Sequence, residues 1–333
     1  MCKCEEEGQP GRARGEAGLQ VKKDNTMVRA AFMTERTTLA QAAVSAGIGL
    51  HTGARVRMVL KPAAAGSGIV FERTDLDCAN RRIPARFDLV RSTDLGTTII
   101  NDDGASVATV EHLMAAFAGL GVDDVLVELH GPEIPAMDGS SMPFIELLEH
   151  AGLKTQPAPR RAIRVMKPVE VALGGRTAVF LPALKPAIDV SIDFDNAIIG
   201  RQQYRFETSP EGFRTEIAAA RTFGFRREYE TLLKAGLARG GSLENAVVLD
   251  DEGVANPEGL RFADEFVRHK ILDALGDLYL AGAPILGLYQ ASRPGHGINN
   301  VAVRALMADV SAWKWVTMSE MAEAGDASRA LRG

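Results

Sequence analysis

The chain has 333 residues, which is too long for one ordinary domain and suits two. Hydrophobic residues make up 46% of it and charged residues 24%, so the chain can bury cores and is not disordered as a whole. The formal net charge of −5 argues against a partner held by bulk charge, and we expect no nucleic-acid partner.

Neither the cysteines nor the apolar segments indicate secretion or a membrane. Cys2, Cys4 and Cys78 do not make a disulfide framework. No apolar run reaches the roughly 18–20 residues that a membrane helix needs, and the N-terminus lacks an apolar signal core. We therefore predict a cytoplasmic protein with no membrane span.

Residues 1–32 differ from the rest of the chain. They are rich in Gly, Glu, Lys and Arg and lack hydrophobic periodicity, which is typical of a disordered tail. Cys2 and Cys4 form a Cys-x-Cys pair, but no second pair accompanies them to complete a metal site. We predict that the folded part begins after this tail.

Residues 33–155 mix strands with helices and are predicted to form a first domain. Short apolar runs predict strands at Val56–Leu60, Gly68–Phe71, Thr97–Ile100 and Val125–Leu129. Apolar residues at helical spacing predict helices at Val110–Gly119 and Met142–His150. The proline-containing segment Gln156–Arg160 is interpreted as a linker.

Residues 160–316 again combine strands and helices in a similar order and are predicted to form a second domain, followed by a C-terminal tail at 317–333. The first predicted element is a hairpin of Ala162–Leu173 and Arg176–Leu181 that turns at Gly174-Gly175. It is followed by a strand at Ile188–Phe194, helices at Arg226–Ala235 and about Leu260–Leu280, and a final strand at Ile285–Ala291. The order of elements predicts an α+β fold of two similarly built domains.

The most informative segment for chemistry is the long helix around His269. His269 and Asp273 are four residues apart, so they lie on one helical face, and Asp277 follows one turn later. An imidazole and a carboxylate at this spacing can reach one metal ion, and zinc accepts both ligand types. The alternative is a surface His–Asp pair, which is common on helices.

A second segment places Glu111 and His112 at the start of an apolar helix. Adjacent helical residues point about 100° apart, so they can divide roles between metal ligand and general base. A catalytic zinc keeps three protein ligands and one open position, and His112, His269 and Asp273 would supply the three. Glu111 would then face the open position as the base. The alternative is an N-terminal Glu favoured by the helix dipole beside an incidental histidine.

A third segment is the glycine-rich loop that contains His296. A protonated histidine there could stabilise an oxyanion and donate a proton to a leaving amine, and Asp277 is the candidate carboxylate that would keep it protonated. The alternative is a simple turn histidine. His130 and His150 lie among surface-like residues and are predicted to be exposed and inert.

Six segments together resemble a known family, the UDP-3-O-acyl-N-acetylglucosamine deacetylases of lipid A synthesis. The matching segments are Gly47-Ile-Gly-Leu-His-Thr-Gly53, Thr109-Val-Glu-His-Leu113, Glu133-Ile-Pro-Ala-Met-Asp-Gly-Ser140, Ala220-Arg-Thr-Phe-Gly-Phe225, the helix Asp264–Asp277 and Gly295-His-Gly-Ile-Asn-Asn300. They occur in the family's order with similar separations, over roughly Arg36 to Val316.

The resemblance implies zinc-dependent hydrolysis of the acetamide of an acylated UDP-amino sugar, the committed step of lipid A synthesis. It implies His112, His269 and Asp273 as zinc ligands, although iron also suits this ligand set. It further implies Glu111 as base, His296 as cationic acid with Asp277 as its partner, and Thr222 as a hydroxyl near the carbonyl oxygen.

The resemblance also implies substrate contacts and an arrangement of the domains. Lys270 and Phe194 match positions at the nucleotide end, and Arg293 is a further cation that an anionic diphosphate would require. Residues 223–248, beginning with Phe223, match an inserted element that forms an apolar passage for the acyl chain. The two domains are implied to pack as a monomer in a β-α-α-β sandwich, with helices meeting at the interface and the site between them.

Two other interpretations stay open on the residues alone. One is a zinc amidohydrolase with the same site chemistry that acts on another acylated sugar or small amide. The other is a non-catalytic metal-binding protein, which would need neither Glu111 nor His296. The apolar side chains of the insert could likewise fill an ordinary small core.

Overall fold

The computed structural model describes residues 34–321 except Cys78 and Leu184. The predicted N-terminal tail, all three cysteines and residues 322–333 of the predicted C-terminal tail lie outside the described residues. Within the described part of the chain, no helix is long and apolar enough to cross a membrane.

The elements bounded within the described residues of the first half are ten strands and two α-helices. The strands are β1 (Glu35–Leu39), β2 (Ala43–Ile48), β3 (Arg55–Pro62), β4 (Ile69–Arg73), β5 (Arg82–Pro84), β6 (Val90–Ser92), β7 (Thr98–Ile100), β8 (Ser106–Val107), β9 (Val125–His130) and β10 (Leu153–Pro159). The helices are α1 (Glu111–Leu120) and α2 (Met142–Ala151), and a 3₁₀ turn covers Phe87–Leu89. These bounds confirm the two predicted helices to within about one residue.

The second half has a comparable set of elements. Its strands are β11 (Arg161–Val165), β12 (Val169–Leu173), β13 (Arg176–Leu181), β14 (Ala187–Asp193), β15 (Arg201–Glu207), β16 (Phe223–Phe225), β17 (Val247–Leu249), β18 (Ile285–Leu286), β19 (Leu288–Ser292) and β20 (Trp313–Thr317). Its α-helices are α3 (Arg226–Lys234), α4 (Glu265–Tyr279) and α5 (His296–Ala308), and shorter helical turns cover Pro210–Gly212 and Phe213–Ile217.

Two five-stranded sheets share one topology. Their strand orders are β2-β3-β9-β4-β5 and β12-β13-β19-β14-β15. In each sheet the central strand, β9 or β19, is antiparallel to one neighbour and parallel to the other. In each half one helix precedes the central strand and another follows it, so α1 corresponds to α4 and α2 to α5. The fold is therefore the predicted α+β arrangement of two similarly built halves.

Helices α1 and α4 pack against each other more extensively than any other pair of helices in the described chain. The rest of α4 lies against β14 and β15, while α2 contacts β2 and α5 contacts β12 and β13. Helix α1 is apolar on nearly all sides because it is buried on nearly all sides. On β9 alternate residues Val125, Val127 and Leu129 are fully buried, as the strand period requires. The helices thus meet in the middle of a β-α-α-β sandwich.

The prediction that Gln156–Arg160 is a linker is wrong, because most of this segment belongs to strand β10. This strand pairs antiparallel with β1, and the register shifts between Glu35 and Arg36. Pro157 and Pro159 have no backbone N–H, but among the described residues this sheet consists of β1 and β10 alone, so no second neighbour of β10 there needs those donors.

The predicted strand Ala162–Leu173 is two strands in different sheets. Strand β11 pairs with β18 and β20, whereas β12 forms a hairpin with β13. The chain crosses between the sheets at residues 166–168, where Pro168 cannot donate to a ladder. The predicted turn at Gly174 and Gly175 is confirmed, and both residues have positive φ.

Helix α4 begins five residues later than the predicted Leu260. Apolar residues continue the helical pattern before it, but the Glu265 carboxylate accepts a hydrogen bond from the backbone N–H of Arg261 at 2.6 Å. That contact folds residues 261–264 back over the first turn, and Asp264 has non-helical angles.

Ile285–Ala291 is neither one strand nor the final one. It divides at Gly287 into β18 and β19, and β20 follows much later along the chain. Helix α5, which starts at His296, was predicted as a glycine-rich loop. Burial of Ile298, Ala302 and Val303 against the second sheet outweighs the low helix propensity of the glycines. Strand β20 runs from Trp313 to Thr317, so the predicted C-terminal tail begins at the last residue of this strand.

Candidate metal centre

The two interface helices bring the predicted site residues together. Helix α1 begins with Glu111 and His112, and α4 carries His269, Asp273 and Asp277. A Cβ atom on Gly276 would overlap the backbone carbonyl oxygen of Glu111, so only glycine permits this close approach of the helices.

The first cluster consists of His112, His269 and Asp273. One potential ligand atom from each lies within 4.8 Å of the others, and all three residues are buried. Nε2 of His112 lies 3.5 Å from Oδ1 of Asp273, and Nε2 of His269 lies 3.3 Å from the same oxygen. This is the set that the sequence predicts as metal ligands.

Contacts around the cluster indicate that these atoms suit a metal ion. Oδ1 of Asp273 is buried and has no hydrogen-bond partner among the described residues, whereas Oδ2 accepts from Nζ of Lys270 at 3.0 Å. The carbonyl oxygen of Ala220 lies 3.1 Å from Nδ1 of His269. A carbonyl can only accept, so Nδ1 carries the proton and Nε2 keeps its lone pair for a ligand.

The protonation states also suit metal binding. Burial lowers the pKa of His269 to about 3, so its imidazole is neutral at pH 7. Burial alone would raise the pKa of Asp273, but its neighbours, among them the Lys270 ammonium group 3.0 Å from Oδ2, hold it well below the usual value. A neutral imidazole and an ionised carboxylate are the forms that bind metals.

The second cluster consists of Glu111, Asp277 and His296. Nδ1 of His296 lies 2.9 Å from Oδ2 of Asp277, and its Nε2 lies 3.8 Å from Oε1 of Glu111. The predicted partnership of Asp277 with His296 is therefore present in the structure. His296 is the first residue of α5, which fixes the backbone of a side chain that the sequence placed on a loop.

Electrostatics give the second cluster one cation and two carboxylates. Burial alone would lower the pKa of His296, but Asp277 and Glu111 raise it to about 10. Burial raises the pKa of Glu111, and the charge on His296 acts in the opposite direction. His296 is thus protonated at neutral pH, beside a carboxyl group poised to take up a proton.

The remaining predicted site residues lie at varying distances from these clusters. Phe223 stacks edge-on near His269, with ring centroids 6.3 Å apart, and Phe194 contacts Phe223 at 5.7 Å. Nζ of Lys270 lies 5.4 Å from the centroid of Phe223. Thr222 lies two residues after Ala220, whose carbonyl oxygen contacts His269. The N–H of Thr222 donates to the carbonyl of Gly139 at 2.8 Å.

Arg293 is separate from this aromatic group. It is exposed at the end of β19, and its guanidinium forms an ion pair with Asp193 at 2.6 Å. Its predicted contact with a diphosphate stays a prediction. His130 and His150 are exposed, as the sequence predicted.

The predicted insert 223–248 contains β16, helix α3 and the start of β17. None of its large apolar side chains is fully buried before Val247, and Leu233 and Leu243 are exposed. Phe223 and Phe225 are half-buried and pack against the main core, as the alternative of an ordinary core predicts, whereas the exposed Leu233 and Leu243 do not.

Sequence reasoning missed three polar residues that hold the site. Thr97 and Asn299 both donate to Asp277. Glu133 is fully buried and accepts hydrogen bonds from the backbone of His51 and Thr52 and from the hydroxyl of Thr109. Asn299 and Glu133 stand inside segments that carry the family resemblance, but Thr97 stands in none of them.

Fold and site together define a class of protein, in which two like sheets enclose paired helices that carry a metal-ligand set beside a carboxylate–histidine pair. The chain belongs to the UDP-3-O-acyl N-acetylglycosamine deacetylase family, whose model matches residues 36–308. The predicted resemblance is thereby confirmed.

Curated relatives match over nearly their whole length. The UDP-3-O-acyl-N-acetylglucosamine deacetylase of Vibrio parahaemolyticus serotype O3:K6 (strain RIMD 2210633) is 47% identical over 290 residues, which cover 86% of this chain and 95% of the relative. The enzyme of the same name from Phenylobacterium zucineum (strain HLK1) is 49% identical over 288 residues, 86% of this chain and 98% of the relative. That of Stenotrophomonas maltophilia (strain R551-3) is 49% identical over 292 residues, 87% and 96% respectively.

Proposed function

We propose that this protein hydrolyses the acetamide of UDP-3-O-acyl-N-acetylglucosamine, giving acetate and the free amine, as the committed step of lipid A synthesis. The observation that carries the proposal is that helices α1 and α4 supply residues to two buried clusters at once: a metal-ligand set, and a carboxyl group 3.8 Å from a cationic histidine. Metal binding alone would require only the first cluster.

His112, His269 and Asp273 are the proposed ligands of a zinc ion. The orphaned Oδ1 of Asp273, with Nε2 of His112 at 3.5 Å and Nε2 of His269 at 3.3 Å from it, supports this assignment. When bound, zinc supplies Lewis acidity and lowers the pKa of water toward neutrality. Fe²⁺ suits the same ligands, so the choice between the two metals depends on metal analysis.

Glu111 is the proposed general base. Burial raises its pKa toward the range in which a carboxylate can take a proton from an attacking water. Its Oε2 is held by the backbone N–H of Thr97 at 2.9 Å, which leaves Oε1 directed toward His296 and the substrate side. The base is thus oriented by the backbone of another segment.

His296 is the proposed acid, and the newly protonated Glu111 is the alternative proton donor to the departing amine. The positive charge of His296, maintained by Asp277, stabilises negative charge on the carbonyl oxygen and allows proton donation to the departing amine. The hydroxyl of Thr222 is proposed to assist at the same oxygen.

Substrate contacts are proposed for the groups around the clusters. Lys270 and Phe194, with Arg293 as a further cation, would bind the nucleotide end. The insert 223–248, beginning with Phe223, would hold the acyl chain with its incompletely buried apolar side chains. We further propose a cytoplasmic monomer with domains at residues 33–155 and 160–316.

The test is a deacetylation assay coupled to metal analysis. The purified protein should release acetate and a primary amine from UDP-3-O-acyl-N-acetylglucosamine, lose activity on chelation and regain it with zinc. Activity only toward another acylated amide would favour a different amidohydrolase, and bound metal without hydrolysis of any amide would favour a non-catalytic protein.

A further inference from the structure

Thr97 is a buried residue with every polar group engaged. It is 1% exposed and precedes β7 in the first half of the chain. Its N–H donates to Oε2 of Glu111 at 2.9 Å, and its hydroxyl donates to Oδ1 of Asp277 at 2.5 Å. Its carbonyl accepts from the N–H of Val110, the residue before α1, at 3.2 Å. Thr97 therefore contacts both carboxylates of the second cluster and the start of the helix that carries one of them.

The two oxygens of Asp277 have different partners. Oδ2 accepts from Nδ1 of His296 and from Nδ2 of Asn299, both on α5. Among the hydrogen bonds of the described chain, Oδ1 accepts only from Thr97. The orientation of the carboxylate about its long axis therefore depends on a donor from the other half of the molecule.

Gly96 allows the Thr97 backbone to come this close to Glu111. A Cβ atom on Gly96 would lie 3.1 Å from Oε1 of Glu111 and 3.3 Å from Oγ1 of Thr109, which is tight for both. Glycine keeps this side of the Glu111 carboxyl group open while the next residue holds its other oxygen.

We propose that Thr97 is a positioning residue that sets the separation of Glu111 and His296. Its N–H holds Glu111 directly, and its hydroxyl holds His296 indirectly through Asp277, which lies across the interface between the halves. Two buried carboxylates on this side of His296 would otherwise repel each other, and Thr97 supplies a donor to each. The roles of base and acid rest on the proposed function, but the hydrogen-bonded arrangement does not.

The first test compares Thr97→Val with Thr97→Ser. Valine has nearly the shape of threonine and keeps the N–H contact to Glu111, but it removes the donor to Asp277. We expect kcat to fall about 10- to 100-fold, as for other residues that hydrogen-bond to a functional side chain and orient it. KM should change less than about twofold. Serine keeps the hydroxyl and should restore most of the loss.

Thr37→Val is the matched control. Thr37 is also fully buried, but its hydroxyl has no hydrogen-bond partner among the described residues. The same chemical change there should leave kcat and KM near the values of the unchanged protein. Circular dichroism verifies folding. If Thr97→Val does not fold, Thr97→Ala, which also lacks the hydroxyl, takes its place and must show the same kcat loss.

The second test is independent of turnover. The Nδ1 proton of His296, bonded to a buried carboxylate, should give a downfield resonance in ¹⁵N-histidine-labelled protein, assigned by its loss in His296→Gln. Thr97→Val should shift or broaden it, and Thr97→Ser and Thr37→Val should not. Unchanged kcat together with an unchanged resonance in Thr97→Val would overturn the inference. If the unchanged protein hydrolyses no acetamide, the proposed function fails, and the resonance alone decides whether Thr97 positions the Asp277–His296 pair.

Discussion

Nε2 of His296 lies 3.8 Å from Oε1 of Glu111, although each residue begins a helix in a different half of the chain. This separation is longer than a hydrogen bond, so the two atoms are close without being bonded to each other. A base and an acid that act at successive stages of one hydrolysis need this arrangement, because each must reach the substrate rather than its partner.

Replacing Glu111 by Gln tests the base. Glutamine has nearly the same shape but cannot take a proton, so kcat should fall about 10²- to 10⁴-fold. Metal content, measured by atomic emission, should stay unchanged because the proposed ligands are intact. Near-native turnover in a variant that retains its metal would exclude Glu111 as the base.

The pH profile tests His296. Since its pKa is raised to about 10, the cation should persist through neutral pH, and kcat/KM should fall as the pH passes about 10 and the acid loses its proton. On the acid side the rate should fall when Glu111 takes up a proton, above the ordinary carboxyl range. Profiles between pH 5 and 11 would be compared for the unchanged protein and His296→Gln. The idea fails if the variant keeps the same alkaline limb.

Replacing Asp273 by Ala tests the metal site. The variant should bind zinc far more weakly, and the rise in melting temperature that zinc produces should disappear, because a ligand that binds only the folded state stabilises it. Calorimetry and thermal unfolding with and without zinc measure this. His130→Ala, an exposed histidine outside the site, is the control and should keep the full shift.

Replacing Gly276 by Ala tests the helix crossing. The added methyl group would overlap the carbonyl oxygen of Glu111, so α1 and α4 must move apart, at a cost of about 1–3 kcal/mol in the free energy of unfolding. Urea unfolding gives the value. Gly224→Ala is the matched control, because its new methyl group would meet no heavy atom within 4 Å. Equal stability of the two variants would contradict the close crossing.

Replacing Leu233 by Ser tests the acyl passage. Leu233 is exposed on α3, so folding should be little affected, whereas KM should rise for substrates with long acyl chains and stay constant for short ones. Val310→Ser, at an exposed apolar position away from the insert, is the control. If long- and short-chain substrates respond alike, the insert does not bind the chain.

Much of the site was predictable because its signals are local. The spacing of His269 and Asp273 on one helical face, and the adjacency of Glu111 and His112, follow from helix geometry alone. Their convergence required the fold, which the repeated order of elements indicated only in outline.

The features that sequence reasoning missed depend on contacts between distant segments. Thr97 meets Asp277 across 180 positions of sequence, and no local pattern distinguishes it from the neighbouring threonine. Helix α5 is stabilised by packing on the second sheet although its segment is rich in glycine. Strand β10 forms despite its prolines because it pairs with β1, which is distant from it in sequence. In each case tertiary contact outweighed local propensity.

The corresponding placement of α1 and α4 has a consequence for assembly. The proposed ligands are shared unequally, one from the first half and two from the second, so neither half alone can complete the set. A chain whose halves have not docked would offer at most two ligands to one ion, and two ligands would bind a metal weakly. Retention of a metal ion by these three groups would therefore require that the interface between the two halves has already formed.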